Sequence, residues 1–301
     1  MRKRVWLYLP FLLLLAGGGC NTRGSKAREV KKIKEEKSKE VYINTDHLEK
    51  LWVSPPALKI PESVLYDAKR NVIYVSNVDG KPSKHDGRGF ISLLGPDGKV
   101  IEQEWVKGLD APKGLGIYGD NLYVSDINAL VVISIPGKKI LTRYTDPKAV
   151  FLNDVAVAPD GTVYVSDMGA SAVYRLQGDH FEKWVIDKKL DGPNGLFVEK
   201  GGLLAGLKDR IVHIDLQTRK ISDYILHTGS IDGLEADGRG NYLISDWKGH
   251  IYLVNPKGEK VLFLDTTPIN MQAADICFVP ASSNLLVPTF NNNRVVAYRY
   301  K

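Results

Sequence analysis

After residue 42 the apolar positions recur in short alternating runs rather than at helical spacing. Six times a tight-turn segment opens an apolar stretch: P-E-S-V-L-Y-D (61–67), P-K-G-L-G-I-Y (112–118), L-N-D-V-A-V-A (152–158), P-N-G-L-F-V-E (193–199), I-D-G-L-E-A-D (231–237) and A-D-I-C-F-V-P (274–280). A second run follows each after a turn rich in Gly, Asp and Asn, among them V-I-Y-V-S-N (72–77), N-L-Y-V-S-D (121–126), T-V-Y-V-S-D (162–167) and N-Y-L-I-S-D (241–246). Third runs are legible as well, for example V-V-I-S-I (131–135) and H-I-Y-L-V (250–254). The alternation and the β-branched and aromatic content predict strands. No stretch of this region carries an amphipathic helical period of ordinary length.

The repeat fixes the architecture. The second residues of the first five segments, together with Asp275, are Glu62, Lys113, Asn153, Asn194, Asp232 and Asp275, spaced 51, 40, 41, 38 and 43 residues apart. Several short strands in a period of about forty residues is the pattern of a propeller blade. The sequence therefore predicts an all-β fold, a six-bladed β-propeller. The sixth repeat runs out after its third strand, and the apolar piece L-W-V-S-P-P-A-L (51–58) is expected to supply the missing outer strand, so that an N-terminal strand closes the ring without an open edge.

Composition adds little about the body and much about the N-terminus. The formal charge of +6 is concentrated there: residues 1–20 contribute +3 and residues 21–41 contribute +4, which leaves −1 for the rest. The body gives no electrostatic reason to expect nucleic-acid binding. Residues 1–20 read as a secretory leader: basic Arg2–Arg4, an apolar stretch from Val5 to Ala16, small residues, then Cys20. This resembles a bacterial lipoprotein leader, in which the cysteine is acylated, although Gly17 stands where a large aliphatic residue is usual. The expectation is an exported protein, anchored to a membrane of the cell envelope through a lipid on Cys20, or else secreted or periplasmic after ordinary cleavage. Residues 21–49, dense in Lys and Glu at first, read as a charged tether, and residues 50–301 as the propeller. Cys277, in the apolar run I-C-F-V, reads as a core residue.

In a propeller the first strand of each blade lines the axis, so the six residues above recur at one height around the channel mouth. Glu62 and Asp232 offer carboxylates; Asn153 and Asn194 offer amide oxygens. That hard, all-oxygen set suits Ca²⁺, Mg²⁺ or Mn²⁺, and the lack of His or Cys in the ring argues against zinc. Asn and Asp also populate tight turns for purely conformational reasons.

The order of these residues resembles the regucalcin/gluconolactonase (senescence marker protein) family of six-bladed propellers, over about residues 50–301, through P-E-S-V, L-N-D-V, P-N-G-L and I-D-G-L. The resemblance implies one divalent cation, Ca²⁺ by preference, bound by Glu62, Asn194 and Asp232. It also implies substrate contact by Asn153, a second role for Asp232 in activating water, and hydrolysis of a lactone or related ester of a small molecule. Two residues depart from it. Lys113 brings a positive charge into the ring, and Phe151 stands where lactonases of sugar acids carry Arg. These favour the alternative, a non-catalytic envelope propeller that binds a ligand or protein partner. Tyr66, Phe151 and Met271 are candidates for an apolar pocket wall, with core packing as their ordinary role.

Other signals are structural. Gly114, Gly116 and Gly119 match G-x-G-x-x-G, but a turn and strand follow instead of a helix, so no nucleotide site is expected. Asp126, Asp167 and Asp246 repeat after the second strands and are expected to cap the same turn in each blade. The insertion at 80–89 lengthens the first blade as a loop.

Overall fold

A computed structural model of the chain describes residues 40–301. The leader, Cys20 and most of the charged tether lie outside the described residues. Six antiparallel sheets, each of four strands or more, form a six-bladed propeller, as the repeat predicts. The blades span residues 61–109, 112–145, 152–186, 196–226, 234–265 and 277–300. In the first five blades the strands run outward in chain order, and the innermost are Pro61–Asp67, Pro112–Tyr118, Leu152–Val157, Leu196–Glu199 and Leu234–Ala236.

The sixth blade is composite. Its inner strands are Cys277–Val279, Asn284–Pro288 and Val295–Tyr300, and its outer strand is Leu48–Val53, antiparallel to the last of these with Leu48 opposite Tyr300. The closing strand thus lies a few residues earlier than the expected 51–58. Pro55 and Pro56 explain the difference, because two consecutive residues without an N–H cannot continue a ladder. Ser54 ends it: its N–H donates to the Val295 carbonyl and its Oγ accepts from the Val295 N–H. Leu58 beyond the prolines is buried against blades six and one. A further short strand, Tyr42–Ile43, pairs outside Lys260–Asp265 of blade five, so blade structure begins before residue 50.

No blade has a core of its own. The buried apolar residues form seven clusters, six large ones and a small one around Val78, Ala111 and Ile127, each shared by two neighbouring blades. Leu115, Val124 and Val131 of blade two, for instance, pack with Tyr74, Ile91 and Trp105 of blade one. Leu48 of the closing strand packs with Phe263 of blade five and Tyr298 of blade six. Cys277 belongs to the cluster between blades six and one, in agreement with its core reading.

The turns are held as the repeated Ser-Asp pairs suggest. Asp126 accepts the N–H groups of Asp110 and Ala111, Asp167 those of Val150, Phe151, Gly169 and Ala170, and Asp246 those of Gly249 and His250. The serines before Asp167 and Asp246, and Ser76 before Asn77, reach inward. Ser76, Ser166 and Ser245 accept the backbone N–H of Ser63, Asp154 and Gly233, each next to a ring residue.

Because Leu48 joins the closing strand to two blades, Leu48→Ala should cost about 2–5 kcal/mol in denaturant unfolding. A loss below about 0.5 kcal/mol, the range of ordinary surface changes, would contradict a closing role for this strand.

Candidate functional site

The innermost strands do not enter the channel as regular ladders. In blades one to three the register slips between Pro61 and Val64, Pro112 and Leu115, and Leu152 and Val155. Such bulges re-aim side chains, and the residues inside them include Glu62, Lys113 and Asn153. In blades four and five the corresponding residues, Asn194 and Asp232, precede the strand proper. There the chain passes close to the next blade: a Cβ on Gly195 would lie 2.6 Å from the Asp232 carbonyl oxygen, and one on Gly233 would lie 2.5 Å from the Ile276 nitrogen. Only glycine permits that approach, which brings the ring residues of successive blades together.

Five of the six ring residues line one cavity of about 590 Å³ at the channel mouth: Glu62, Lys113, Asn153, Asn194 and Asp232. Asn194 Nδ2 donates to Asp232 Oδ1 at 2.8 Å. Glu62 is buried, and its Oε2 has no hydrogen-bond partner. Asp275, the sixth, is turned away. Its N–H donates to the Glu62 carbonyl, but its Oδ2 accepts from Ser63 Oγ at 2.6 Å and its side chain lines a second cavity of about 380 Å³ further along the same strands. The expectation of six side chains at one height is corrected to five, with the Ser63 hydrogen bond as the reason.

Two acids that the sequence reading passed over, Asp154 and Glu235, also line that second cavity. Asp154 is fixed by the N–H groups of Leu196 and Val155, both at 2.6 Å. The signal was present in the repeat, because Gly or Ser takes the position of Asp154 in most other blades and apolar or small residues that of Glu235.

Burial of five carboxyls along one axis raises their proton affinities, and neighbouring negative charge adds to this for all but Asp154. Burial pushes Asp232 up to about 7, opposed by the Asn194 hydrogen bond and reinforced by the Asp154 charge. Burial pushes Asp154 up to about 6 and Glu235 up to about 8. Glu62 is raised well above the usual range by burial and then by Asp232, with Lys113 opposing. Asp275 is raised in the same way, by burial and then by Asp154 and Glu62.

Lys113 does not form an ion pair with a ring carboxylate. Its Nζ donates to the carbonyls of Ala111, at 2.8 Å, and Pro82, at 3.0 Å, and lies 4.4 Å from the centre of the Phe151 ring. Burial lowers its pKa, opposed by the nearby charges of Glu62 and Asp126. Pro82 belongs to the insertion of blade one, whose Gly80, Lys81 and Pro82 form part of the cavity wall. The rest of the insertion is held by His85 and the Gly87 N–H on Asp110, at 2.8 and 2.9 Å, and by Arg88 on Asp79. Of the apolar candidates, Phe151 lines the mouth, Tyr66 lines the second cavity, and Met271 is buried away from both.

The donors at the mouth fit a hard divalent cation: two carboxylates, one with an unpartnered buried oxygen, and two amides. Among the described residues no three His, Cys, Asp or Glu side chains form a metal cluster by themselves, so a cation here depends on the amides of Asn194 and Asn153.

No family model matches the chain. Among curated proteins, Strictosidine synthase-like 7 of Arabidopsis thaliana is 32% identical over 124 residues, which is 40% of this chain and 31% of that protein. The match thus spans about a third of the plant protein's length. Among solved structures, a gluconolactonase of Xanthomonas campestris superposes with a TM-score of 0.64 at 15% identity, over 84% of this chain and 89% of its own. A virginiamycin B lyase of Staphylococcus aureus does so with a TM-score of 0.61 at 14% identity, over 87% and 100%. These likenesses establish the shared propeller fold, and the activities in the names are those of the proteins that carry them.

Two outcomes follow from this geometry. The folded state binds protons more tightly than the unfolded chain at Asp154, Asp232 and Glu235. The stability this contributes is complete below the unfolded carboxylate range and is lost as pH rises through the folded values. In chelator-treated protein the thermal midpoint should therefore fall as pH rises from about 5 to about 8, and Glu235→Gln should flatten the upper part of that slope. A midpoint that is level or rising over this range would refute the burial of these carboxyls. Lys113→Met, in turn, should raise amide hydrogen exchange across residues 80–89 while leaving the inner strands protected. Unchanged exchange there would show that the lysine does not hold the insertion.

Proposed function

We propose that this chain is an exported hydrolase of lactones or related esters, similar to the regucalcin/gluconolactonase family, tethered to an envelope membrane through Cys20 and dependent on one divalent cation. Glu62, Asn194 and Asp232 would hold the cation, Ca²⁺ in preference to Mg²⁺ or Mn²⁺. When bound there, it would supply Lewis-acid polarisation of the substrate carbonyl. The observation that carries the reading is the buried, unpartnered Glu62 Oε2 facing the same cavity as Asp232. A bare carboxylate oxygen in that position is costly unless something positive meets it, and Lys113 is committed elsewhere.

The chain's own residues divide the remaining work. Asn194 Nδ2 occupies Asp232 Oδ1 and fixes that carboxylate, which leaves Oδ2 as the base. A water oxygen attacks the carbonyl carbon while one of its protons passes to Asp232 Oδ2. The tetrahedral adduct then collapses, the acyl C–O bond breaks, and the proton returns to the departing alkoxide; a lactone opens to a hydroxy acid. Asn153, beside the substrate space, orients the ester group, and the insertion anchored by Lys113 forms one wall of that space.

The second reading, a non-catalytic ligand-binding propeller, has one observation in its favour: Lys113 and Phe151 stack on one another and close the third-blade side of the cavity with an apolar face. A cation titration separates the two. After chelation, Ca²⁺, Mg²⁺ or Mn²⁺ should restore thermal stability with one-site stoichiometry, and Asp232→Ala and Asn194→Ala should each abolish that response. Asp232→Asn should lower ester or lactone turnover by about 10²-fold or more. If no cation binds wild-type protein, the hydrolase reading fails and the ligand-binding reading replaces it.

A further inference from the structure

Above the polar floor the mouth cavity has a different character. Its rim is made by Ile60, Phe151, Met168, Ile231, Trp247 and Phe290, contributed from four sides of the ring. Trp247 is 49% exposed and Met168 is 40% exposed, although each stands beside packed apolar neighbours. Trp247 and Phe290 meet edge to face at 5.6 Å, and Phe151 is held by the Lys113 ammonium at 4.4 Å. Trp247 and Met168 leave apolar surface facing solvent at this cavity, beside the buried Ile231 and Phe290, and such surface is costly unless a ligand covers it.

Backbone conformation supplies an independent sign. Ile60 has φ 56° and Phe290 has φ 43°. A β-branched or bulky aromatic residue is unfavourable in the left-handed region, and such strain collects where a site is held in shape by its surroundings. Both residues line this cavity, and both are tied to Asn293: the Ile60 N–H donates to its Oδ1 at 2.8 Å, and the Phe290 carbonyl accepts its N–H at 3.1 Å. The polar groups at rim level, Lys81, Ser230 and Asn291, are all exposed. Groups already satisfied by water discriminate little, whereas recognition of a polyhydroxylated ring needs buried partners for its hydroxyls.

We propose that the substrate of this site carries a sizeable apolar group, an alkyl chain or an aromatic ring, next to its lactone or ester, and that the rim chamber receives it. The buried polar groups of the cavity lie among the ring residues, so the apolar lining favours an alkyl or aromatic lactone over a sugar lactone. The proposal rests on the hydrolase reading for the word substrate, but binding can be tested apart from turnover.

The test is calorimetric titration of the calcium-supplemented protein with two probes, γ-undecalactone and glucono-1,5-lactone, alongside a hydrolysis assay of each. The alkyl lactone should bind at least tenfold more tightly than the sugar lactone. Trp247→Ala, at a half-exposed position that bears little of the fold, should weaken alkyl-lactone binding about tenfold, while Trp247→Phe should restore most of it. Equal or tighter binding of the sugar lactone, its turnover in preference to the alkyl lactone, or no binding of either would overturn the proposal. Alkyl-lactone binding without turnover would uphold the apolar recognition and overturn the hydrolase reading instead.

Discussion

The fold depends on each blade sharing its apolar residues with two neighbours. A single four-stranded sheet here has no interior; its buried side chains belong to clusters that exist only when the next blade is in place. Stability is therefore a property of the closed ring, and a break in the ring exposes two faces at once. The strand Leu48–Val53 carries disproportionate weight for its six residues because it completes the last blade and, through Leu48, reaches the fifth.

Closure also explains the chemistry of the axis. Packing the sheets tightly forces the inner strands toward one line, and whatever side chains their turns carry must then coexist. In this chain they are largely acidic. Local hydrogen bonds meet some of these carboxyls, at Asp275, Asp154 and Asp232, while Glu62 Oε2 has none. A propeller built this way tolerates unfavourable groups at its centre because the surrounding ring is over-determined, which is the condition under which an ion or substrate can be bound by relief of repulsion.

What the sequence disclosed and what it withheld follow from the kind of information involved. Blade number, strand order and the membership of Glu62, Asn153, Asn194 and Asp232 in one cavity were legible, because period and turn chemistry are local and repeat six times. The direction of a side chain within a bulge is not local. Asp275 shares its repeat position with Asp232, yet Ser63 from another blade turns it along the channel. The repeat put the charge of Lys113 in the ring but not its partners, which are two backbone carbonyls, one of them in the insertion. The closing strand was anticipated in kind and misplaced by a few residues, since apolar content marked the segment while Pro55 and Pro56 set where pairing stops. Trp247 and Phe290 each directly follow the second run of their repeat, a position that Val78, Ile127, Met168 and Leu207 take in the other blades, and their apolar character alone does not separate a cavity wall from core.

The composite sixth blade also has a meaning in time. Val295 and Ser54, which meet at the end of the closing strand, are 241 residues apart in sequence. At ordinary translation speeds the first strand emerges tens of seconds before its partner exists. During that interval Leu48–Val53 is an unpaired edge, and Leu51, Trp52 and Val53 make it adhesive. Glu49 and Lys50, both exposed in the finished blade, supply the charge that discourages pairing with other chains while it waits. The residues that close the ring are thus also those that must be kept from closing the wrong one.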